Sequence, residues 1–143
     1  MKTSTRILGA TLILAATAAI AAENPAVVAR QDAMKTIGMS TKVLGDMAKG
    51  ETAFDAAAAQ AAATAMAEQA AMVPALFEPE EDDPDSEAKP EIWANWDDFT
   101  AKAADLEAAA ASAAGSITTA EDIGAAMQAI GPTCMACHRT YRE

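Results

Sequence analysis

The 143-residue chain contains only two cysteines and one histidine, and all three stand within five positions, Cys134-Met135-Ala136-Cys137-His138. On a helix, thiols three residues apart project from one face. A histidine four residues after the first thiol lies on that same face. This C-x-x-C-H run is the pattern of covalent c-type haem attachment, in which each thiol adds to one vinyl group of the porphyrin and the histidine ring approaches the iron. Once fixed covalently, such a group is a permanent part of whatever the chain folds around. Competing uses of the run fit less well. A thioredoxin-like redox pair belongs near a β-α-β pattern, and no strand pattern occurs in the sequence. A structural zinc site needs four ligands, whereas three side chains crowd one turn here. A chance run of inert thiols is hard to reconcile with its taking up the whole Cys and His content.

Met1 to Ala21 reads as a secretory signal, with Lys2 and Arg6 in the charged region, Ile7 to Ala16 as the apolar run and Ala19-Ile20-Ala21 as an A-x-A cleavage site. The apolar run is short for a membrane span and ends in small residues. Export to the periplasm suits the motif, since c-type haem is attached outside the bacterial cytoplasm. Cleavage leaves residues 22–143, enough for one domain. Without Lys2 and Arg6, eight basic residues face 21 acidic ones, a net charge of −13. That balance disfavours nucleic acid and anionic membranes as partners. It suits a redox partner with a basic surface, or simply solubility.

Asn24-Pro25 opens a first helix with an N-cap followed by proline at the first helical position, and Gly50 closes it. Val27, Arg30, Met34, Ile37, Thr41, Leu44 and Ala48 form its inward stripe, leaving Met39 and Met47 outside it. Arg30 therefore shares a core face with Met34. A buried guanidinium needs a partner, and a haem propionate would provide one. Asp55 caps a second, alanine-rich helix stapled by Phe54, with Ala59, Met66, Ala70 and Val73 on one stripe. Pro74 is expected to loosen or end it, letting Leu76-Phe77 fold back onto the core.

From Glu78 to Pro90 the chain carries seven acidic residues, one lysine and three prolines. Repelling carboxylates with prolines between them read as a solvated linker rather than a metal site. Pro90-Glu91 begins a third helix with Ile92, Trp96, Phe99, Ala103, Leu106 and Ala110 inward, closed by Gly115-Ser116. Thr118 to Glu121 reads as the capping box of a fourth helix, whose stripe Ile123, Met127, Ile130, Cys134, Cys137 and Tyr141 puts the thiols at core positions. Gly131-Pro132 is expected to kink or tighten that helix one turn before the motif. Four amphipathic helices with no strand signal predict an all-α, antiparallel four-helix bundle with covalently attached haem. With 4% aromatic residues and much alanine, the protein's own core is thin, so the haem must supply much of what is buried.

These residues resemble the class II c-type cytochromes, which include cytochrome c′, a protein that stands among the standard examples of four-helix bundles. The resemblance covers the whole of residues 22–143. It is most specific at Cys134 to Arg142, with supporting matches at Arg30-Gln31, Lys49-Gly50-Glu51, Leu76-Phe77 with Pro79, and Pro90-Glu91-Ile92-Trp93. It implies one haem c bound through thioethers at Cys134 and Cys137, and His138 as the proximal ligand. Arg142 would lie beside that histidine, Arg30 near a propionate, and Phe77 and Trp93 against the cofactor.

At the family's distal position this sequence has Met34. Cytochromes c′ leave iron five-coordinate, and a methionine can stand there without binding, whereas low-spin relatives of the c-556 kind ligate iron with it. Met34-Lys35, Val43-Leu44-Gly45 and Ala48-Lys49-Gly50-Glu51 look more like the second branch. The resemblance thus implies a periplasmic electron carrier with His138 and Met34 on iron. The alternative is a five-coordinate protein binding nitric oxide or carbon monoxide. An enzyme is not expected, since no second histidine or acid-base constellation accompanies the motif. Many cytochromes c′ pair through their first two helices, and the alanine-rich second helix permits a homodimer of that kind.

Overall fold

A computed structural model describes residues 24–143; the secretory signal read at Met1 to Ala21 lies outside them. Within them the fold is all-α, with α1 Pro25–Ala48, α2 Ala56–Phe77, the single turn α3 Glu91–Ala94, α4 Trp96–Ser116 and α5 Ala120–Tyr141. The four long helices form the antiparallel bundle that the periodicity predicts: α1 packs on α2, α2 on α4, α4 on α5, and α5 returns to α1.

The helix starts follow side-chain chemistry. Asn24 Oδ1 accepts the Ala26 N–H at 2.9 Å with Pro25 at the first helical position, and the Asp55 carboxylate accepts the Ala58 N–H at 2.9 Å. Each satisfies a backbone donor that has no partner inside the helix. Gly50, at φ +73°, turns the chain after α1 in the left-handed conformation that glycine adopts without a steric penalty.

Three boundaries differ from the sequence expectation. The third helix is broken at Asn95, whose backbone N–H and side-chain amide both donate to the Glu91 carbonyl at 3.0 Å. That closes α3 after one turn, and α4 restarts with Asp97 and Asp98 at its positive N-terminal end. Helix α2 does not stop at Pro74. A proline removes one helical hydrogen bond but keeps a helical φ, and the buried Phe77 anchors the extra turn. The α5 capping box is shifted by one residue. Thr119 is the cap, and Asp122, not Glu121, accepts the Thr118 and Thr119 N–H groups at 2.9 and 2.8 Å. These bonds and the two threonine hydroxyls hold the Asp122 carboxyl down to about 2. Helix α5 runs unbroken through Gly131-Pro132, as its single inward stripe from Ile123 to Tyr141 predicts.

The core has two parts. An aliphatic part includes Leu44, Met66, Ile117, Ile123 and Ile130, all fully buried, with Ala59 and Ala63 letting the helices approach closely. Met47, expected outside the α1 stripe, is buried in this part. A helix turns 3.6 residues per turn, so a stripe drawn by steps of three and four drifts around the surface over 24 residues. The other part is aromatic. Phe99 sits at its centre, with ring centroids 5.2 Å from Phe77, 5.7 Å from Trp96 and 5.3 Å from Tyr141, the last edge-on.

Candidate functional site

Between α1 and α5 lies a cleft of ≈ 630 Å³. Helix α5 and its end contribute Thr133, Cys134, Cys137, His138, Tyr141 and Arg142, all on the face that the i, i+3, i+4 spacing sets. Helix α1 contributes Val27, Arg30, Gln31, Met34, Ile37, Gly38 and Thr41, while Val73 and Phe77 come from α2 and Phe99, Lys102, Ala103 and Leu106 from α4. Of the residues singled out from the sequence, Met34, Arg30, Phe77, Cys134, Cys137, His138 and Arg142 therefore border one space.

Trp93 does not line it. Its ring stands behind Arg30, 5.5 Å from the guanidinium carbon, and its indole N–H donates to the Phe77 carbonyl at 2.7 Å. Arg30 itself borders the cleft but finds its partners in the protein backbone. Nε donates to the Leu76 carbonyl at 3.0 Å, Nη1 to Glu81 at 2.7 Å and Nη2 to Pro79, and the Phe77 ring lies 4.8 Å from the guanidinium carbon. Three of its five N–H donors thus meet a ring of carbonyls, and Arg30 still borders the cleft, beside which the sequence suggested a propionate.

The segment 78–90 is no free linker. Its residues Asp85, Ser86, Glu87 and Ala88 border the cleft, Ala88 bridges antiparallel to Arg142, and the Arg142 Nε–Glu87 ion pair measures 2.5 Å. Sequence patterning misses this because partners some 55 residues apart leave no local period. Tyr141 is a second addition. Its hydroxyl donates to Asp98 at 2.5 Å, while Asp98 also accepts from Lys102 at 2.9 Å. Burial, then Asp98, push the Tyr141 phenol up to about 12. Its sequence signals are the last position of the α5 stripe and its place in the Cys134 to Arg142 match.

Electrostatics prepare the donor set. Burial raises both the Cys134 and Cys137 thiols, so they are protonated at neutral pH. Burial, and then the neighbouring Arg142 cation, push the His138 imidazole down, with Glu87 opposing. A neutral imidazole is the form that binds a metal. Two thiols and a neutral imidazole thus share one helix face. They open on a largely apolar cleft whose size falls within the roughly 300–1,000 Å³ of small-molecule sites. Haem c fits that donor set, with Cys134, Cys137 and His138 to hold it. Among the described residues, no cluster of three His, Cys, Asp or Glu side chains is arranged to hold a bare metal ion.

A helical bundle that presents this motif to an apolar cleft is a c-type haem protein. A family model described as cytochrome C′ matches residues 25–142. The chain is 42% identical over 115 residues to the cytochrome c-556 of Agrobacterium tumefaciens (strain apple 185), covering 80% of this chain and 91% of that one. An NMR-validated structural model for oxidized R. palustris cytochrome c556 is similar at 36% identity and a TM-score of 0.76, over 83% of this chain and 96% of that one. Cytochrome c′ from Rhodopseudomonas palustris is similar at 32% identity and a TM-score of 0.78, over 85% and 98%. The chain belongs to the cytochrome c′ family, the class II c-type cytochromes.

Proposed function

We propose that the protein is a periplasmic one-electron carrier that would hold one haem c through thioethers at Cys134 and Cys137, with His138 and Met34 as the side chains that would ligate its iron. One observation carries the ligand assignment: Met34 is the only methionine among the described residues that borders the cleft shared by His138 and the two cysteines. It is half-buried and packs against both the aliphatic and the aromatic parts of the core, which supports a thioether held at the cleft. Haem iron supplies one-electron exchange, and imidazole with thioether ligation favours the ferrous state. The chain's part is to hold both donors on packed helices, so that the same two ligands serve both oxidation states with little rearrangement.

Export is supported by the A-x-A pattern at Ala19 to Ala21, and no described helix is long and apolar enough to cross a membrane. The acidic balance and the carboxylates of residues 78–87 beside the cleft support a redox partner with a basic surface.

The likeness to a cytochrome c′ favours a second reading, in which Met34 only packs over iron, as flexible methionines do in cores, and the protein binds nitric oxide or carbon monoxide. Absorption spectra of the purified ferric and ferrous protein separate the two. The carrier reading expects low-spin spectra, a thioether-to-iron charge-transfer band that Met34→Ala abolishes, and carbon monoxide binding that appears only in the variant. High-spin spectra and carbon monoxide binding in the unmodified protein overturn it. Haem colour that leaves the chain on acid-acetone extraction overturns the thioether links.

A further inference from the structure

We propose that Arg30 is a positioning residue that pins the acidic segment 78–90 across the bundle as a wall of the cofactor cleft. The inference rests on the reading of that cleft as the haem site. Arg30 is 3% exposed, yet three of its five N–H donors reach backbone carbonyls some 46 to 51 residues away, at Leu76, Pro79 and Glu81. Those acceptors span the end of α2 and the first residues of the segment. A fork that fixes three carbonyl directions within six residues fixes the path of the backbone between them.

The same helix adds two further clamps. The Asn24 N–H and side-chain amide reach the Asp83 and Glu81 carboxylates at 3.1 and 2.7 Å, and Gln31 Nε2 reaches the Asp85 carbonyl at 2.9 Å. At the other end the segment is held by α5. The Lys89 N–H donates to the Tyr141 carbonyl and the Glu143 N–H to the Glu87 carbonyl, both at 3.0 Å, alongside the Arg142–Glu87 ion pair. Residues 85–88, between the two sets of clamps, are those that border the cleft.

The segment is therefore a strap tying the helix that carries Met34 to the helix that carries His138. Seven carboxylates on such a short run repel one another and favour an extended, detached path. The buried cation at its root opposes that, and does so through directional bonds that a point charge cannot reproduce. Without the fork the first half of the strap detaches, and the wall at Asp85 to Ala88 opens to solvent and small ligands.

Glutamyl endopeptidase digestion of the folded holoprotein tests the pin, because Glu80, Glu81 and Glu87 are exposed on the strap and none precedes a proline. The unmodified strap is expected to be cut far more slowly than the same segment in denaturant. Arg30→Met should speed cleavage at these sites by at least about tenfold, equivalent to about 1.4 kcal/mol of local opening, and raise the rate at which added imidazole reaches ferric haem. Arg30→Lys, which keeps the charge but loses the fork, should not restore either rate. An unmodified strap cut at the denatured rate, or an Arg30→Met strap no more sensitive than the unmodified one, overturns the proposal. If Arg30→Met does not fold, the surface double variant Asn24→Ala/Gln31→Ala should still speed cleavage several-fold, and no change there overturns it too. Faster cleavage with unchanged imidazole access refutes the strap's role as a cofactor wall, and leaves the Met34 ligation to its own spectral test.

Discussion

Replacing Phe99 by alanine is expected to remove a large part of the stability of the holoprotein. Phe99 is 2% exposed and contacts three other rings at 5.2 to 5.7 Å. Truncating a buried phenylalanine costs about 3–5 kcal/mol, and favourable aromatic pairs place a residue with three ring partners towards the top of that range. One side of Phe99 also borders the cofactor cleft, so the new void joins an existing space and cannot collapse from that direction. A loss of about 4 kcal/mol follows, against a total of roughly 6–18 kcal/mol for a domain of this size. At roughly 3–5 °C per kcal/mol, the melting temperature should fall by about 12–20 °C. Urea unfolding followed by far-ultraviolet circular dichroism should show a lower midpoint with an unchanged slope. Phe99→Leu, which keeps most of the volume, should lose about half as much or less. A loss below about 2 kcal/mol for Phe99→Ala would mean that the aromatic cluster does not hold this end of the bundle.

Three further outcomes are expected. The Asp122 carboxyl lies below the usual carboxylate range, so its cap contributes stability above about pH 4 that is lost as pH falls through about 2. Asp122→Ala should flatten the acid limb of a melting temperature against pH profile, and an unchanged limb would remove the cap from the account. Electron exchange with a cationic partner should slow as salt rises, since charges beyond roughly 8–10 Å are screened at ~0.1–0.15 M ionic strength; a rate independent of salt would assign the negative charge to solubility alone. Haem-free protein should melt well below the holoprotein, with fast amide exchange from Cys134 to Tyr141, and cooperative unfolding near the holoprotein's temperature would show that the aliphatic cluster suffices.

Most of the helical frame is legible in the sequence because it is encoded within single turns. Asn24-Pro25, Asp55 and Gly50 act on neighbours one to four residues away, and the stripe from Val27 to Leu44 repeats at the helical period. The C-x-x-C-H face is legible for the same reason. Boundaries that turn on a choice between near-equal partners are not. Glu121 and Asp122 both follow a threonine at capping distance, and the carboxylate with the shorter side chain makes the bonds. The break at Asn95 depends on one side-chain amide capturing a carbonyl. The strap is hidden for a different reason: its acceptors are mostly backbone carbonyls, which carry no sequence signature. Its composition alone reads as a solvated linker, and only the burial of Arg30 hints that the backbone partners exist.

The strap also bears on how firmly Met34 is held beside the cleft. Arg30 and Met34 are four residues apart on α1, about one turn and roughly 6 Å along the helix axis. They share a rigid element, so a slide or rotation of α1 that carries Met34 away from the cleft also pulls Arg30 against three carbonyl bonds and two aromatic rings. A cleft whose α1 wall is anchored in this way resists displacement of Met34. The anchor therefore suits the fixed thioether ligand proposed above. It also links two measurements: an Arg30→Met variant that frees the strap should weaken the charge-transfer band attributed to Met34. Strap release with the band unchanged would show that α1 is held in place by the aliphatic core around Ile37 and Leu44 alone.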